Sequence, residues 1–238
     1  MRTLHRTLSC TLALLSLGCS AQAADTFMGR EKAHTMTYHG APWLTRETRV
    51  AEERPDLLQA ALRLEPGDHA CDIGSGNGYH TLPMARAVAP GGTAYAVDIQ
   101  PEMLQLLHRR AKADGVTNVE RVRNTQATTG LEPKTCDTAL MVDVYHEFSD
   151  PAAMLAGLRE AMRLDGELVV VEYREEDPRV PIKPRHKMSK AQVHKELSAH
   201  GFKLVRELDT LPWQHAMFYQ RTDGPGVATE PAPWKGRR

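Results

Sequence analysis

The sequence has no excess of charge of either sign. Its 238 residues carry 30 Lys and Arg against 30 Asp and Glu, a formal net charge of +0. Proteins that bind the phosphate backbone of nucleic acids carry basic patches and a high isoelectric point, so the balance argues against a nucleic-acid partner. Hydrophobic residues at 41% and charged residues at 25% are typical of one globular domain rather than of a disordered or multi-span membrane chain.

Cysteine is also scarce. The 4 cysteines are too few and too widely spaced for a disulfide scaffold or a zinc ribbon. Two of them lie near the N-terminus, whereas Cys71 and Cys136 lie in hydrophobic, strand-like runs. Such surroundings favour buried free thiols over a bridge between these two residues. The sequence thus predicts a core held by hydrophobic burial alone.

A hydrophobic run long enough to span a bilayer is absent. The apolar run from Leu8 to Leu17 is too short, follows two arginines and precedes Ala21-Gln22-Ala23, the order of a secretory signal. We predict a signal peptide at 1–23, export to the periplasm and no transmembrane span in the mature chain. An amphipathic first helix is the alternative for this run. A loose lipoprotein box ending at Cys19 leaves lipidation open, and no twin arginine is present.

Strand and helix patterns alternate along the rest of the chain, as in a parallel α/β sheet. We divide it into an N-terminal cap segment at 24–54, one domain at 55–221 and a disordered tail at 222–238. A helix is predicted to begin at Pro55. The predicted strands are Asp68–Ile73, Thr93–Asp98, Val119–Arg123, Asp137–Asp143, Glu167–Tyr173, Phe202–Leu208 and Gln214–Gln220. The other predicted helices are Tyr79–Ala89, Pro101–Asp114, Pro151–Arg163 and Ser189–His200.

A glycine-rich turn follows the first strand of the domain and opens the first helix. Glycines at positions 74, 76 and 78 suit a turn in which the backbone approaches a ligand closely. The dinucleotide fingerprint GxGxxG needs a glycine at position 79, which is Tyr79, so a nicotinamide-dependent oxidoreductase is the weaker reading. Asp98 ends the next strand, where its carboxylate can accept hydrogen bonds from two ribose hydroxyls.

Several motifs in this order resemble those of the class I S-adenosylmethionine-dependent methyltransferases. Their first motif is similar to Asp72-Ile73-Gly74-Ser75-Gly76-Asn77-Gly78, and their second-strand acidic residue to Asp98. Their fourth and sixth motifs are similar to Cys136–Asp143 and Leu164–Glu172. The resemblance covers roughly Leu57 to Gln220. It implies S-adenosylmethionine as cofactor and a Rossmann-like three-layer α/β/α sandwich, with a seven-stranded, mostly parallel sheet whose last strand is antiparallel.

The resemblance also assigns cofactor-binding residues. They are Asp72, Gly74, Ser75, Gly76, Gly78, Asp98, Ile99, Thr125, Gln126 and Asp143. One position departs from the family pattern. Many relatives carry an acidic pair after the third strand to bind the adenine amino group, whereas this chain has Arg123-Asn124-Thr125-Gln126. Thr125 or Gln126 is expected to bind adenine instead.

The end of the fourth strand carries a candidate proton acceptor. The segment His146-Glu147-Phe148-Ser149-Asp150 resembles the His-x-aromatic-x-Asp stretch of small-molecule O-methyltransferases, whose histidine is the general base. A neutral imidazole takes up a proton near neutral pH, and Asp143 or Glu147 is expected to orient it. The alternative is a histidine that only caps the next helix or lines the pocket. A zinc site at His146, Glu147 and Asp150 is disfavoured, because the stretch lacks a second histidine and is expected in a loop rather than a helix. We therefore predict no metal.

Two further segments are expected to close the same pocket. The Pro-rich connector Arg174–Met188 is a candidate lid, and Arg185, His186 and Lys187 within it are candidate ligands for an anionic acceptor. The cap segment contributes Arg30, His34, Tyr38, His39 and Trp43. A solvated charge run and ordinary surface packing are the alternatives.

Methyl transfer to an oxygen, sulfur or carbon nucleophile of a small molecule is the function that these patterns favour. A nucleotide-dependent oxidoreductase and a non-catalytic module that binds S-adenosylmethionine or a nucleotide stay open as alternatives. The sequence does not identify the acceptor or the oligomeric state. Export raises a question of supply, because S-adenosylmethionine would have to reach the exported protein.

Overall fold

A computed structural model of the chain describes residues 26–225. The predicted leader and most of the predicted tail therefore lie outside the described residues. The described part of the chain has no helix that is long and apolar enough to cross a membrane. It begins with a two-stranded hairpin, β1 (Thr26–Phe27) and β2 (Arg30–Glu31), and a 3-10 helix at Tyr38–Thr45. Two short helices follow, α1 (Arg49–Glu53) and α2 (Pro55–Leu62).

A seven-stranded sheet forms the centre of the domain. Its strands are β3 (His69–Ile73), β4 (Thr93–Asp98), β5 (Val119–Arg123), β6 (Cys136–Val142), β7 (Met162–Tyr173), β8 (Phe202–Leu208) and β9 (Gln214–Arg221). Their spatial order is β5-β4-β3-β6-β7-β9-β8. The first five strands are mutually parallel, whereas β9 is antiparallel to both of its neighbours. The predicted sheet and its antiparallel last strand are confirmed.

Four further helices cover the sheet. They are α3 (Thr81–Ala87), α4 (Pro101–Ala113), α5 (Pro151–Ala161) and α6 (Lys190–Ala199), and short 3-10 helices lie at Tyr145–Glu147 and Pro184–His186. Proline opens α2, α4 and α5, because its fixed φ suits a first helical turn. Asp150 caps α5 and Ser189 caps α6 by accepting backbone N–H bonds.

One helix boundary was predicted wrongly. Arg163 was expected to end the helix that begins at Pro151, but α5 ends at Ala161 and β7 begins at Met162. Met162 pairs with Cys136 in β6, so strand pairing takes these residues from the helix. Because such pairing is a long-range contact, the local helical pattern could not indicate it.

The core lies on both faces of the sheet. On one face Met141 and Val170 pack with Leu155 of α5 and Leu197 of α6. On the other face Leu58 of α2, Met84 of α3 and Val88, which directly follows α3, pack with Leu140, Val169 and Val171. Neighbouring residues of β6 and β7 thus point into opposite clusters and are all buried, as the near-continuous apolar runs of central parallel strands require.

The prediction of two free thiols is wrong. Cys71 in β3 and Cys136 in β6 form a disulfide, with Cα atoms 5.8 Å apart and both side chains fully buried. The two strands are parallel neighbours in the sheet, although the cysteines are 65 residues apart in sequence. Cysteine count and spacing do not reveal such a pair, because the sheet order alone brings the two strands together.

Candidate active site

Three glycines form the turn that joins β3 to α3. Gly74, Gly76 and Gly78 have φ angles of +72°, +52° and +85°, which side-chain-bearing residues rarely adopt. A Cβ atom on Gly76 would also lie 2.7 Å from Leu44 Cδ1. The backbone conformation of the turn therefore favours glycine at these three positions, and Gly74 and Gly76 line a cavity.

Asp98 closes the next side of the cavity at the end of β4. Its Oδ2 accepts a hydrogen bond from Gly76 N, and its Oδ1 accepts one from Gln100 N, each at 2.8 Å. Burial raises the pKa of this carboxyl, while the two N–H donors work in the opposite direction. Each oxygen retains a further lone pair, so the carboxylate is held ready for two hydroxyl donors. Ile99 lines the cavity beside it.

The remaining members of the glycine motif lie outside the residues that line the cavity. Asp72 is buried beneath the turn, where its Oδ2 accepts a hydrogen bond from Thr81 Oγ1 at 2.5 Å. Burial, with a smaller contribution from Asp98, raises the pKa of Asp72 to about 6 against the hydrogen bond from Thr81. Asp72 thus supports the turn. Ser75 is also buried, and its Oγ has no hydrogen-bond partner among the residues that the structure describes.

The loop after β5, which is expected to bind adenine, differs in one respect from the prediction. Thr125 and Gln126 both line the cavity, but Thr125 Oγ1 accepts bonds from two backbone N–H groups of its own loop, those of Ala127 and Thr128, each at 3.2 Å. Asn124 also lines the cavity, and its Oδ1 is buried without a hydrogen-bond partner within residues 26–225. Asn124 was not chosen from the sequence. Its position directly after β5 was the signal that could have indicated it.

His146 lies behind the cavity wall, in the 3-10 helix that follows β6. Its Nδ1 is 2.6 Å from Glu172 Oε2, and its backbone N–H donates to Glu172 Oε1 at 3.1 Å. Burial lowers the pKa of His146, but Glu172 and Glu147 outweigh it and the net shift is upward. The orienting carboxylate is therefore Glu172 at the end of β7, and the expectation that Asp143 or Glu147 would orient the ring is wrong.

A second histidine reaches the same place from the connector between β7 and α6. His186 Nδ1 lies 3.1 Å from His146 Nε2 and 3.8 Å from Glu147 Oε1. His186 and Glu147 line the cavity. Burial raises the pKa of Glu147 to about 7, against the opposing effect of His146. The pKa of His186 is lowered by burial and then by His146 and Lys183.

Asp143 points toward the cavity from the end of β6. It has the left-handed φ of +50°, and its Oδ2 accepts a hydrogen bond from Gln214 Nε2 at 2.7 Å. Its buried Oδ1 has no hydrogen-bond partner in the described part of the chain. Burial raises its pKa well above the ordinary value, and Glu53 and Glu172 add to the shift. Asp143 thus lines the cavity and is not the carboxylate that orients His146.

The cap segment covers the cavity in part as predicted. His34 and Trp43 line it, together with Arg46 and Arg49, which the sequence reading missed. Arg46 stacks on Trp43 with its guanidinium carbon 3.7 Å from the ring centroid. The other predicted residues act elsewhere. Arg30 binds Glu196 at 2.7 Å, and Tyr38 and His39 do not line the cavity.

The connector was expected to supply anion ligands, and only one of the three residues faces the cavity. Arg185 binds Glu31 at 2.6 Å, and Lys187 donates to the carbonyl of Asp177 at 3.2 Å. His186 and Lys183 line the cavity instead. Both ends of the connector are fixed, because Met188 N donates to the Tyr173 carbonyl at 3.0 Å.

The cavity measures about 650 Å³, within the range of sites for small molecules and cofactors. One end has the glycine cradle, the Asp98 carboxylate and the unpartnered Asn124 Oδ1. The other end has Asp143, Glu147 and His186. The first end fits a nucleoside with ribose hydroxyls and base donors, and the second fits a reacting group.

Residues 64–219 match the family model of a methyltransferase domain, so the chain belongs to that family. S-adenosylmethionine, the cofactor expected from the sequence, is confirmed, and the cradle, Asp98 and Asn124 are the residues that would hold it. The chain is therefore a member of the class I, Rossmann-like family of S-adenosylmethionine-dependent methyltransferases.

Two curated proteins are similar to parts of this chain. A protein-L-isoaspartate O-methyltransferase of Ignicoccus hospitalis is 39% identical over 97 residues, 40% of this chain and 46% of that protein. An uncharacterized 37.1 kDa protein of Streptomyces fradiae is 32% identical over 125 residues, 52% of this chain and 36% of that protein. This chain thus spans less than half the length of these curated relatives.

A solved structure supports the fold. The S-adenosylmethionine-dependent methyltransferase of Aquifex aeolicus superposes with a TM-score of 0.74 at 21% identity, covering 79% of this chain and all of that one. At this identity the likeness concerns the architecture alone.

Proposed function

We propose that the chain transfers a methyl group from S-adenosylmethionine to an oxygen, sulfur or carbon nucleophile of a small molecule held in the cavity, with His146 receiving the nucleophile's proton. The observation that carries the proposal is the continuity of the cavity from the glycine cradle and Asp98 to Glu147 and His186. Both reactants can therefore meet inside one cavity.

The bound cofactor supplies an electrophilic methyl carbon on a sulfonium. The chain's residues have to align a nucleophile with that carbon and remove its proton where it has one. Glu172 holds His146 at Nδ1. The other ring nitrogen of His146, Nε2, contacts His186, and His186 lines the cavity. Proton removal through His186 to His146 leaves the positive charge next to Glu172, which is buried and stabilises it.

A small acceptor is supported by the way the cavity is closed. The cap segment and the connector both lie over it, through Trp43, Arg46, Ile182 and Lys183. A protein acceptor, as the name of the Ignicoccus relative indicates for that protein, would have to pass these side chains. An isoaspartyl peptide therefore belongs in the acceptor panel as the competing outcome.

Two measurements test the proposal in order. Calorimetric titration with S-adenosylmethionine and with NADH comes first, and we expect heat of binding only with the former. S-adenosylhomocysteine formation is then followed over phenols, thiols, quinols and an isoaspartyl peptide. Turnover with a member of the first three groups supports the proposal. Turnover with the peptide alone contradicts the small-molecule acceptor, and no turnover despite binding favours a non-catalytic module.

We also propose that the mature protein works in an oxidising compartment outside the cytosol. The leader pattern at 1–23 and the Cys71–Cys136 disulfide support this, because disulfides persist mainly in oxidising compartments. Fractionation of the native host with N-terminal sequencing and thiol counting tests it. A chain that begins after Ala23 and has no free thiol after denaturation is expected. An intact leader on a cytosolic chain with reduced cysteines would contradict export.

A further inference from the structure

Two histidines and one glutamate converge at the acceptor end of the cavity. His146 Nε2, His186 Nδ1 and Glu147 Oε1 form a triangle with sides of 3.1, 3.8 and 4.0 Å. Within residues 26–225 this is the group of His, Cys, Asp and Glu side chains whose ligand atoms could surround one ion. Two neutral ring nitrogens with a carboxylate are a ligand set that transition metals prefer over magnesium or calcium.

From this geometry we propose that His146, Glu147 and His186 bind one divalent transition-metal ion, with zinc as the best fit. Zinc lies about 2.0–2.1 Å from imidazole nitrogen and is held by two histidines and one glutamate in a common catalytic arrangement. Tetrahedral coordination at those bond lengths places two ligand atoms about 3.3 Å apart. The three measured sides are close to that value, so small side-chain shifts complete the site.

The surroundings are arranged as a metal site requires. Glu172 Oε2 lies 2.6 Å from His146 Nδ1, which fixes the ring orientation and leaves the Nε2 lone pair for the ion. Met36 N donates to both carboxylate oxygens of Glu147 at 3.3 Å, so Glu147 is held as well. Arg30 donates to the carbonyl of His146 at 3.2 Å. Ligands held by outer hydrogen bonds lose little freedom when an ion binds.

The position of the site indicates what the ion would do. Glu147 and His186 line the cavity, so the remaining coordination position faces the acceptor. An acceptor hydroxyl or thiol bound there would release its proton to solvent and keep the electron pair that attacks the methyl carbon. The carbon–sulfur bond of the sulfonium then breaks and leaves a neutral thioether.

This role deepens the proposed function and rests on it. The Nε2 lone pair of His146 binds either a proton or a metal ion, so base catalysis belongs to the metal-free protein and metal assistance to the loaded one. Acceptors with an oxygen or sulfur donor then become the preferred class, because a carbon nucleophile cannot coordinate the ion.

The test measures binding rather than turnover. The full chain is treated with a chelator, dialysed and titrated with zinc chloride by calorimetry and with cobalt chloride by visible absorption. We expect one ion per chain and the d–d bands of a four-coordinate cobalt ion. Glu172→Gln should weaken zinc binding about 10- to 100-fold, and His186→Ala should weaken it more.

A matched control separates this site from adventitious binding. His108 is an exposed histidine on α4, and His108→Ala should leave zinc affinity unchanged. Equal affinities of His186→Ala and His108→Ala, or no binding by the unmutated chain, would overturn the metal site. Because His186 is one-third exposed on a connector, its removal does not threaten folding. S-adenosylmethionine titration of the same samples separates the two proposals, since loss of that binding contradicts the proposed function and not the metal site.

Discussion

The two ends of the cavity are built in different ways. The cofactor end consists of backbone groups and one carboxylate that lie directly after β3 and β4, and Gly76 and Asp98 touch each other at 2.8 Å. At the acceptor end, side chains from the 3-10 helix after β6, the end of β7 and the connector meet at His146, Glu172 and His186. The first end is specified by strand ends alone, whereas the second depends on where a connector of 15 residues folds back.

The largest effect is expected at the acceptor end. His146→Asn keeps an N–H donor toward Glu172 but removes the Nε2 lone pair, so kcat should fall by about 10²- to 10⁴-fold. The dissociation constant of S-adenosylmethionine should change less than about twofold, because the variant lies outside the cofactor contacts. Steady-state kinetics and calorimetry measure the two values. His108→Asn serves as the control, and an equal kcat in both variants would show that His146 has no part in proton removal.

The disulfide links the two strands that lead to the two ends of the cavity. Cys71 lies in β3, which precedes the glycine turn, and Cys136 lies in β6, which precedes the 3-10 helix with His146. It closes a long loop, so reduction or a Cys71→Ala/Cys136→Ala double change should lower the free energy of unfolding by about 2–5 kcal/mol. Urea unfolding of oxidised and reduced protein measures this. If reduction leaves the midpoint unchanged, the two cysteines are not bridged in the folded protein.

The pH dependence should separate the cofactor end from the exposed surface. Asp72 has a pKa of about 6 in the folded protein, above its ordinary value, so its protonated form favours folding. The stability from this group is complete below about pH 4 and is lost as pH rises through 6, a decrease of about 3 kcal/mol. Asp72→Asn should flatten the curve of unfolding free energy against pH between 4 and 7.

An exposed aspartate provides the comparison for that curve. Asp56 forms an ion pair with Arg54 at 2.6 Å, and this partner lowers its pKa to about 2. Asp56→Asn should leave the slope between pH 4 and 7 unchanged. Identical slopes for the Asp72→Asn variant and the unmutated protein would mean that Asp72 is ionised in the fold at acid pH.

The smallest predicted effect concerns the glycine cradle. Gly76→Ala places a Cβ at a φ of +52° and 2.7 Å from Leu44 Cδ1, so S-adenosylmethionine should bind about 10- to 100-fold more weakly. Gly115→Ala introduces similar backbone strain at φ +65° in open space. Both should lose about 1 kcal/mol of stability. If the two variants bind the cofactor equally well, close approach at Gly76 is not required.

Much of the cofactor end could be predicted because its information is local. The strand patterns predict β3 and β4, and the glycine turn and Asp98 lie where these two strands end. The connector offered no comparable pattern. The sequence predicts an anion ligand at His186, and no local pattern marks this histidine as a neighbour of His146. It lies 40 residues further on and 3.1 Å away.

The sequence by itself determined the α/β architecture, the glycine turn, the Asp98 carboxylate and the position of His146 at a strand end. Strand periodicity and backbone conformation depend on neighbouring residues, so short stretches of sequence are enough to predict these features. Only the fold of the whole domain places Glu172 beside His146 Nδ1, His186 beside His146 Nε2, Asn124 at the cavity and Cys71 against Cys136. Each of these pairings requires the order of strands in the sheet or the path of a connector, and such long-range contacts arise only when the whole domain packs.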